Sequence, residues 1–175
     1  MTKNTIASYL NIFEESFLIE KASRYDIKGK KYINSPNKYY FTDLGLRNVR
    51  LNFRQIEENH LMENIIYNEL RSRGYLVDIG SVSINEKNSS QTYVKKQVEV
   101  DFVVNSGSNR YYIQSAYHLP TNEKENQELR PLLNISDSFK KIVIVRDNIA
   151  FKRDQNGIIT MSLKEFLLNP NSLDL

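Results

Sequence analysis

The chain has 175 residues, of which 40% are hydrophobic and 26% charged, the balance of a soluble globular protein with room for a small module and a domain of roughly 110 residues. No apolar run approaches the roughly 20 residues of a membrane span, the opening MTKNTIASYL lacks the apolar core of a signal peptide, and the absence of cysteine excludes disulfides and thiolate metal sites. A cytoplasmic location without a membrane partner is therefore expected, the two histidines, His60 and His118, argue against a histidine-rich zinc site, and the net charge of +3 is concentrated in the first third, where nine basic residues face five acidic ones up to Arg50.

In chain order, Ile6, Tyr9, Leu10 and Phe13 mark one face of a short helix over Thr5–Glu15. Ser16–Glu20 is a strand candidate, Lys28-Gly29-Lys30 and Ser35-Pro36-Asn37 are turns, and Lys31–Ile33 and Lys38–Phe41 are β-prone. Thr42 or Asp43 can cap a short helix. This order is that of the second half of a winged helix. A linker is expected over Asn52–Asn59, followed by a strong helix from about His60 to Arg73 with Gly74 as its stop.

Tyr75–Ile79 reads as a short strand and Asn85–Gln91 as a polar loop. Strand segments are expected between Tyr93 and Val104, then a turn at Ser106–Asn109 and a strand over Tyr111–Ala116. A polar helix spans Thr121–Leu133, with Pro131 a difficulty for its last turn. Ile142–Val145 is an apolar run suited to a buried strand. Asn156-Gly157 signals a hairpin, and Ser162 with Glu165 forms a capping box ahead of a last helix. The fold class expected is α+β, with a partial winged helix over residues 1–55 and an αβββαβ domain with a mixed sheet over residues 60–175.

Metal-dependent phosphodiester cleavage needs hard oxygen ligands for Mg²⁺ and a group that activates water. One solution places an acid on the first helix, another on a central strand, then an acid and a lysine two residues apart on the next strand. Here the positions are Glu63 on the helix, Glu99 and Asp101 on one face of a strand, then Gln114 and Ala116. The second acid and the lysine are thus replaced. Lys95 and Lys96 are the substitutes available nearby, and His118 is a possible base. Arg24, Lys28, Lys30, Lys31 and Lys38, with Tyr32, form a candidate nucleic-acid-binding wing, against which stands a solvated hairpin whose lysines only keep the surface soluble. Tyr39, Tyr40 and Phe41 can stack on bases or serve as sheet core.

The blocks Glu63-Asn64, Tyr67-Asn68-Glu69-Leu70, Arg73-Gly74-Tyr75, Glu99–Val103 and Tyr112-Ile113-Gln114 resemble the C-terminal domain of unknown function of a large family of prokaryotic AAA+ ATPases. Thr5-Ile6, Tyr9-Leu10, Arg24–Lys30 and Lys38–Arg47 look like the run that precedes it in the same family. The resemblance implies an ATPase module, a winged helix, then a domain similar to the PD-(D/E)xK or restriction-endonuclease-like nuclease fold, with glutamine usual at the Gln114 position. This chain has no GxxxxGK[ST] loop and so does not bind ATP in the P-loop manner. It starts at what would be the recognition helix, so a fragment or truncated reading frame is expected.

With no P-loop, and with Gln114 and Ala116 in place of an acid and a lysine, enzymatic activity is not expected of this chain, and Glu63, Glu99, Asp101 and Gln114 are read as a vestigial site. The expected role is a non-catalytic nucleic-acid-binding or recognition module, with DNA, the AAA+ module or another protein as partner. The alternatives are an active Mg²⁺-dependent DNA nuclease, with Glu63 and Asp101 as metal ligands, and a protein–protein interaction module.

Overall fold

The computed structural model describes residues 2–34, 36–54, 57–87, 92–119 and 121–175. Residues 1, 35, 55, 56, 88–91 and 120 lie outside them, and with them the first residue of the Ser35-Pro36-Asn37 turn, part of the expected linker and most of the expected polar loop.

Helix α1 (Lys3–Glu15) is capped by the Thr2 side chain. At its other end Phe17 has φ 57°, Leu18 N–H donates to Phe13 O at 2.9 Å, and Phe17 N–H donates to Glu14 O at 3.0 Å. That closure is a Schellman motif. It moves the expected strand at Ser16–Glu20 to β1 (Ile19–Ala22), because Ser16 and Phe17 are spent on ending the helix. Strand β1 pairs antiparallel with β4 (Lys38–Phe41), and between them β2 (Arg24–Asp26) and β3 (Lys31–Tyr32) form a hairpin. Asp43 caps α2 (Leu44–Arg50).

Helix α3 (Glu58–Ser72) buries Met62, Asn64, Ile66, Tyr67 and Leu70, and Gly74 follows it at φ +82°. Next come β5 (Leu76–Lys87), β6 (Tyr93–Ser106), β7 (Asn109–Ala116), α4 (Asn122–Leu133) and β8 (Lys140–Val145). The first three strands form an antiparallel meander, and β8 runs parallel to β7. The chain closes with β9 (Lys152–Arg153), β10 (Ile159–Ser162) and α5 (Leu163–Leu168), whose N-terminus the Ser162 hydroxyl caps. The expected short strand at Tyr75–Ile79 is the start of the twelve-residue β5. Gly80 is required inside this strand: an added Cβ there would lie 2.8 Å from Val100 Cβ.

All these strands except β1 and β4 join one eight-stranded sheet in the order β3-β2-β5-β6-β7-β8-β10-β9. The expected wing is therefore not a free-standing hairpin. Strand β2 lies parallel to β5 and pairs Arg24 with Ile79, covering an edge that would otherwise be open. One core cluster joins Met62, Ile66, Tyr67 and Leu70 of α3 to Phe102, Ile113, Ile142 and Ile144, together with Tyr40 of β4. The other joins Leu129 and Leu132 of α4 to Val100, Val103, Tyr112, Val143 and Val145. Strand β8 is thus buried on both faces, which explains its unbroken apolar run.

Candidate functional site

The sheet's registers place the acids. Asp78 pairs with Val103 and Gly80 with Val100, so β6 holds one residue more than β5 over this stretch. This is a bulge at Asp101 and Phe102, a device that re-aims side chains. The β6–β7 ladder reaches only as far as Phe102↔Ile113. Beyond it the Asp101 Oδ2 accepts the Ser115 N–H at 2.7 Å, and the Asp101 N–H donates to Gln114 Oε1 at 3.4 Å. Two buried side chains thus continue the ladder where the backbones part. Gln114 also reaches Glu128 of α4 at 3.5 Å.

Glu63 on α3 and Glu99 on β6 complete the acid cluster, and they are not alone. Lys38 Nζ lies 2.8 Å from Glu63 Oε1 and 2.5 Å from Glu99 Oε1. Arg24 lies 2.5 Å from Glu99 Oε2. The Tyr40 hydroxyl donates to Glu63 Oε1 at 2.5 Å, and its ring stacks on Tyr67 at 4.1 Å. The four charged side chains are at most 31% exposed, so water screens them only in part.

Burial lowers the Lys38 ammonium's pKa, but Glu63 and Glu99 overcome this and leave it above the usual lysine value. Burial raises Glu99, and the bonds from Lys38 and Arg24 overcome it, leaving Glu99 below the usual carboxylate value. Asp101 is raised, first by burial and then by Glu63, against the Ser115 N–H. Tyr40 is likewise pushed up by burial and by Glu63. Two fixed cations thus face three carboxylates, and the uneven count favours the neutral form at Asp101, the most buried of the three.

A cleft of about 230 Å³ opens at this end of the sheet, between α3 and α4. Asn59, His60 and Glu63 line one side, Lys124 and Glu128 the other, with Asp101, Gln114, Ser115 and Tyr117 at its floor. Mg²⁺ needs ionised carboxylates whose oxygens are open to an octahedral shell. One Glu63 oxygen is engaged by Lys38 and Tyr40, both Glu99 oxygens are taken by cations, and one Asp101 oxygen accepts the Ser115 N–H. As folded, this donor set does not fit Mg²⁺. Among the described residues no group of three or more His, Asp or Glu side chains is arranged to hold a metal ion.

The candidate wing residues divide. Arg24 and Lys38 turn toward the acids, while Lys28, Lys30, Lys31 and Tyr32 are exposed on the β2–β3 hairpin, with the Tyr32 hydroxyl donating to Asp78 at 3.0 Å. Ala116 is buried beside Val145, in the core cluster on the α4 face. Lys95 and Lys96 lie at the far end of β6, where Lys96 pairs with Glu86 at 3.1 Å. At about 3.3 Å per residue they stand well over 10 Å from Asp101 and do not replace the missing lysine. His118 pairs with Asp147 at 2.8 Å, both half-buried in loops.

Sequence reading missed Tyr40 as a site group and Asn64 as a docking group. Asn64 accepts from Phe41 N–H at 2.9 Å and donates to Phe41 O at 2.8 Å, standing in for a neighbouring strand. The only local signal was a polar residue on the otherwise apolar face of α3.

Fold and site together define an α+β protein with helices on both faces of a mixed sheet and a charge-compensated acid cluster at one sheet end. Residues 58–166 match the domain of unknown function DUF4143, and residues 1–57 match another domain of unknown function, DUF8612. The first of these covers more than half of the chain, which belongs to the DUF4143 family. An uncharacterized protein of Haemophilus influenzae is 34% identical over 143 residues, 82% of this chain and 32% of its own length. An uncharacterized protein of Methanocaldococcus jannaschii is 31% identical over 128 residues, 73% of this chain and 26% of its own length. The chain spans about a third or less of the curated relatives it matches. No solved structure matches it. Among the described residues no helix is long and apolar enough to cross a membrane.

Proposed function

We propose that this chain is a non-catalytic recognition module of a cytoplasmic AAA+ ATPase, built on a nuclease-like core, that binds nucleic acid through its basic β2–β3 hairpin. The observation that carries the non-catalytic part is the Lys38 ammonium between Glu63 and Glu99, in a chain where Gln114 and Ala116 stand at the sequence positions of an acid and a lysine. The nuclease-like core is supported by the order α3, antiparallel β5–β6–β7, α4 and a β8 parallel to β7. This is the αβββαβ order of a restriction-endonuclease-like domain. The AAA+ parent is supported by the resemblance of both segments and by relatives about three to four times the length of the matched region. The binding surface is supported by Lys28, Lys30 and Lys31, exposed together beside Tyr32.

A second reading, a protein-interaction module, is favoured by α1 and α2. Neither helix buries a residue, and they expose Ile6, Tyr9, Ile12, Phe13, Leu46 and Val49.

The test is anisotropy binding of the chain to labelled duplex and single-stranded DNA over a salt series. Phosphate contacts predict an affinity that falls steeply with salt. Replacing Lys28, Lys30 and Lys31 by alanine should reduce the slope by about one unit for each lysine that touches a phosphate. Binding that ignores both salt and these substitutions would transfer the proposal to the protein-interaction reading.

A further inference from the structure

We infer that Lys38 is a built-in counter-cation: its ammonium holds the place a divalent ion would take in the acid cluster, and it latches the β1–β4 ladder onto the core. This rests on the reading of the cluster as a nuclease-like remnant. Lys38 belongs to β4, whereas Glu63 belongs to α3 and Glu99 to β6, so one nitrogen joins three elements. An ammonium is a compact point charge with three donors. Two of them account for one oxygen of each glutamate.

The neighbouring bonds come from the same 57-residue segment. Tyr40, two residues further along β4, donates to the same Glu63 oxygen. Arg24 takes the other Glu99 oxygen, and its Nε donates to Pro36 O at 2.8 Å, which fixes the guanidinium in place. Phe41 offers its N–H and C=O to Asn64. Charge, hydroxyl and backbone groups over Lys38–Phe41 therefore dock together, and when that stretch lifts Glu63 loses its cation and Glu99 keeps only Arg24. A divalent cation and the β4 latch compete for the same oxygens, and the tethered group holds them because its charge is present at high effective concentration.

The probe is MnCl₂, added to metal-free protein without nucleic acid. Two readouts are taken: paramagnetic broadening of the Glu63, Glu99 and Asp101 amide signals, and hydrogen exchange across residues 38–41. In the wild type no saturable broadening is expected up to about 1 mM, the range of weak divalent sites. Lys38→Met should create a site at least about tenfold tighter, since removing one like charge has an effect of this order. It should also speed exchange at residues 38–41, and adding Asp101→Asn should abolish the new site.

Saturable broadening in the wild type overturns the inference, as does a folded Lys38→Met protein that takes no Mn²⁺. If Lys38→Met does not fold, Glu99→Gln decides: exchange at residues 38–41 must rise once Lys38 is held by Glu63 alone, and unchanged exchange sinks the latch. Neither readout involves DNA, so a failure here leaves the binding proposal standing, and a failure to bind DNA leaves the latch standing.

Discussion

Lys31 and Lys38 belong to the same basic stretch and have opposite environments. Lys31 is exposed on β3, an edge strand of the sheet, while Lys38 is drawn inward between two glutamates with 28% of its side chain exposed. Arg24 follows Lys38, and Lys28 and Lys30 follow Lys31. A positive excess counted along the sequence therefore overstates the charge offered to a partner. Part of it is internal compensation for acids contributed by the second segment, and the distinction depends on the fold alone.

The largest effect should come from removing the inward cation. Lys38→Ala leaves two half-buried carboxylates without their shared partner, and breaking such a pair costs about 3 kcal/mol. For a chain of this size that lowers Tm by roughly 6–12 °C. Lys31→Ala should change stability by less than about 0.5 kcal/mol. Equal effects in thermal melts would erase the contrast between the two lysines.

Asn64→Leu should cost about 2 kcal/mol in urea unfolding, because the Phe41 N–H and C=O lose their buried partner. Tyr40→Phe should cost about 1–2 kcal/mol, since it keeps the stack on Tyr67 and removes only the bond to Glu63. Gly74→Ala lies outside the contrast and calibrates it. Its φ of +82° with nothing within 4 Å makes the cost conformational, about 1 kcal/mol.

The pH dependence separates Asp101 from Glu99. The Asp101 pKa is raised in the folded protein, first by burial and then by Glu63. Its contribution is therefore fully present below the unfolded value of about 3.9 and is lost as pH rises through the folded value. Glu99, lowered by Lys38 and Arg24 against burial, runs the other way: its contribution is present above about 4.3 and is lost as pH falls through the lowered value. Asp101→Asn should accordingly gain stability relative to the wild type between about pH 4 and about pH 8. A constant difference across that range would mean that Asp101 is ionised throughout.

Much of the fold was legible locally. Helix α3 and its glycine stop, the buried run of β8, the Asn156-Gly157 turn and the Ser162 cap are each specified by a few adjacent residues. Glu99 and Asp101 were legible as one face of a strand by simple alternation. The rest was decided at a distance. The expected strand ended at Ile79, whereas β5 continues through Gly80, where Val100 and Ile27 on neighbouring segments leave no room for a Cβ. Lys38 looked like a surface wing residue because its partner Glu63 lies 25 positions away on another element. The bulge at Asp101 comes from a mismatch between two strand registers and has no signature within β6 itself.

An acid cluster neutralised from within should not cleave DNA, and one gel decides whether it does. The purified chain is incubated with linear, single-stranded and branched DNA in Mg²⁺ or Mn²⁺ and in EDTA. A neutralised cluster beside a basic hairpin predicts a salt-sensitive shift that is the same with metal and with EDTA, and no cleavage. Metal-dependent cleavage that disappears in Asp101→Ala would contradict it.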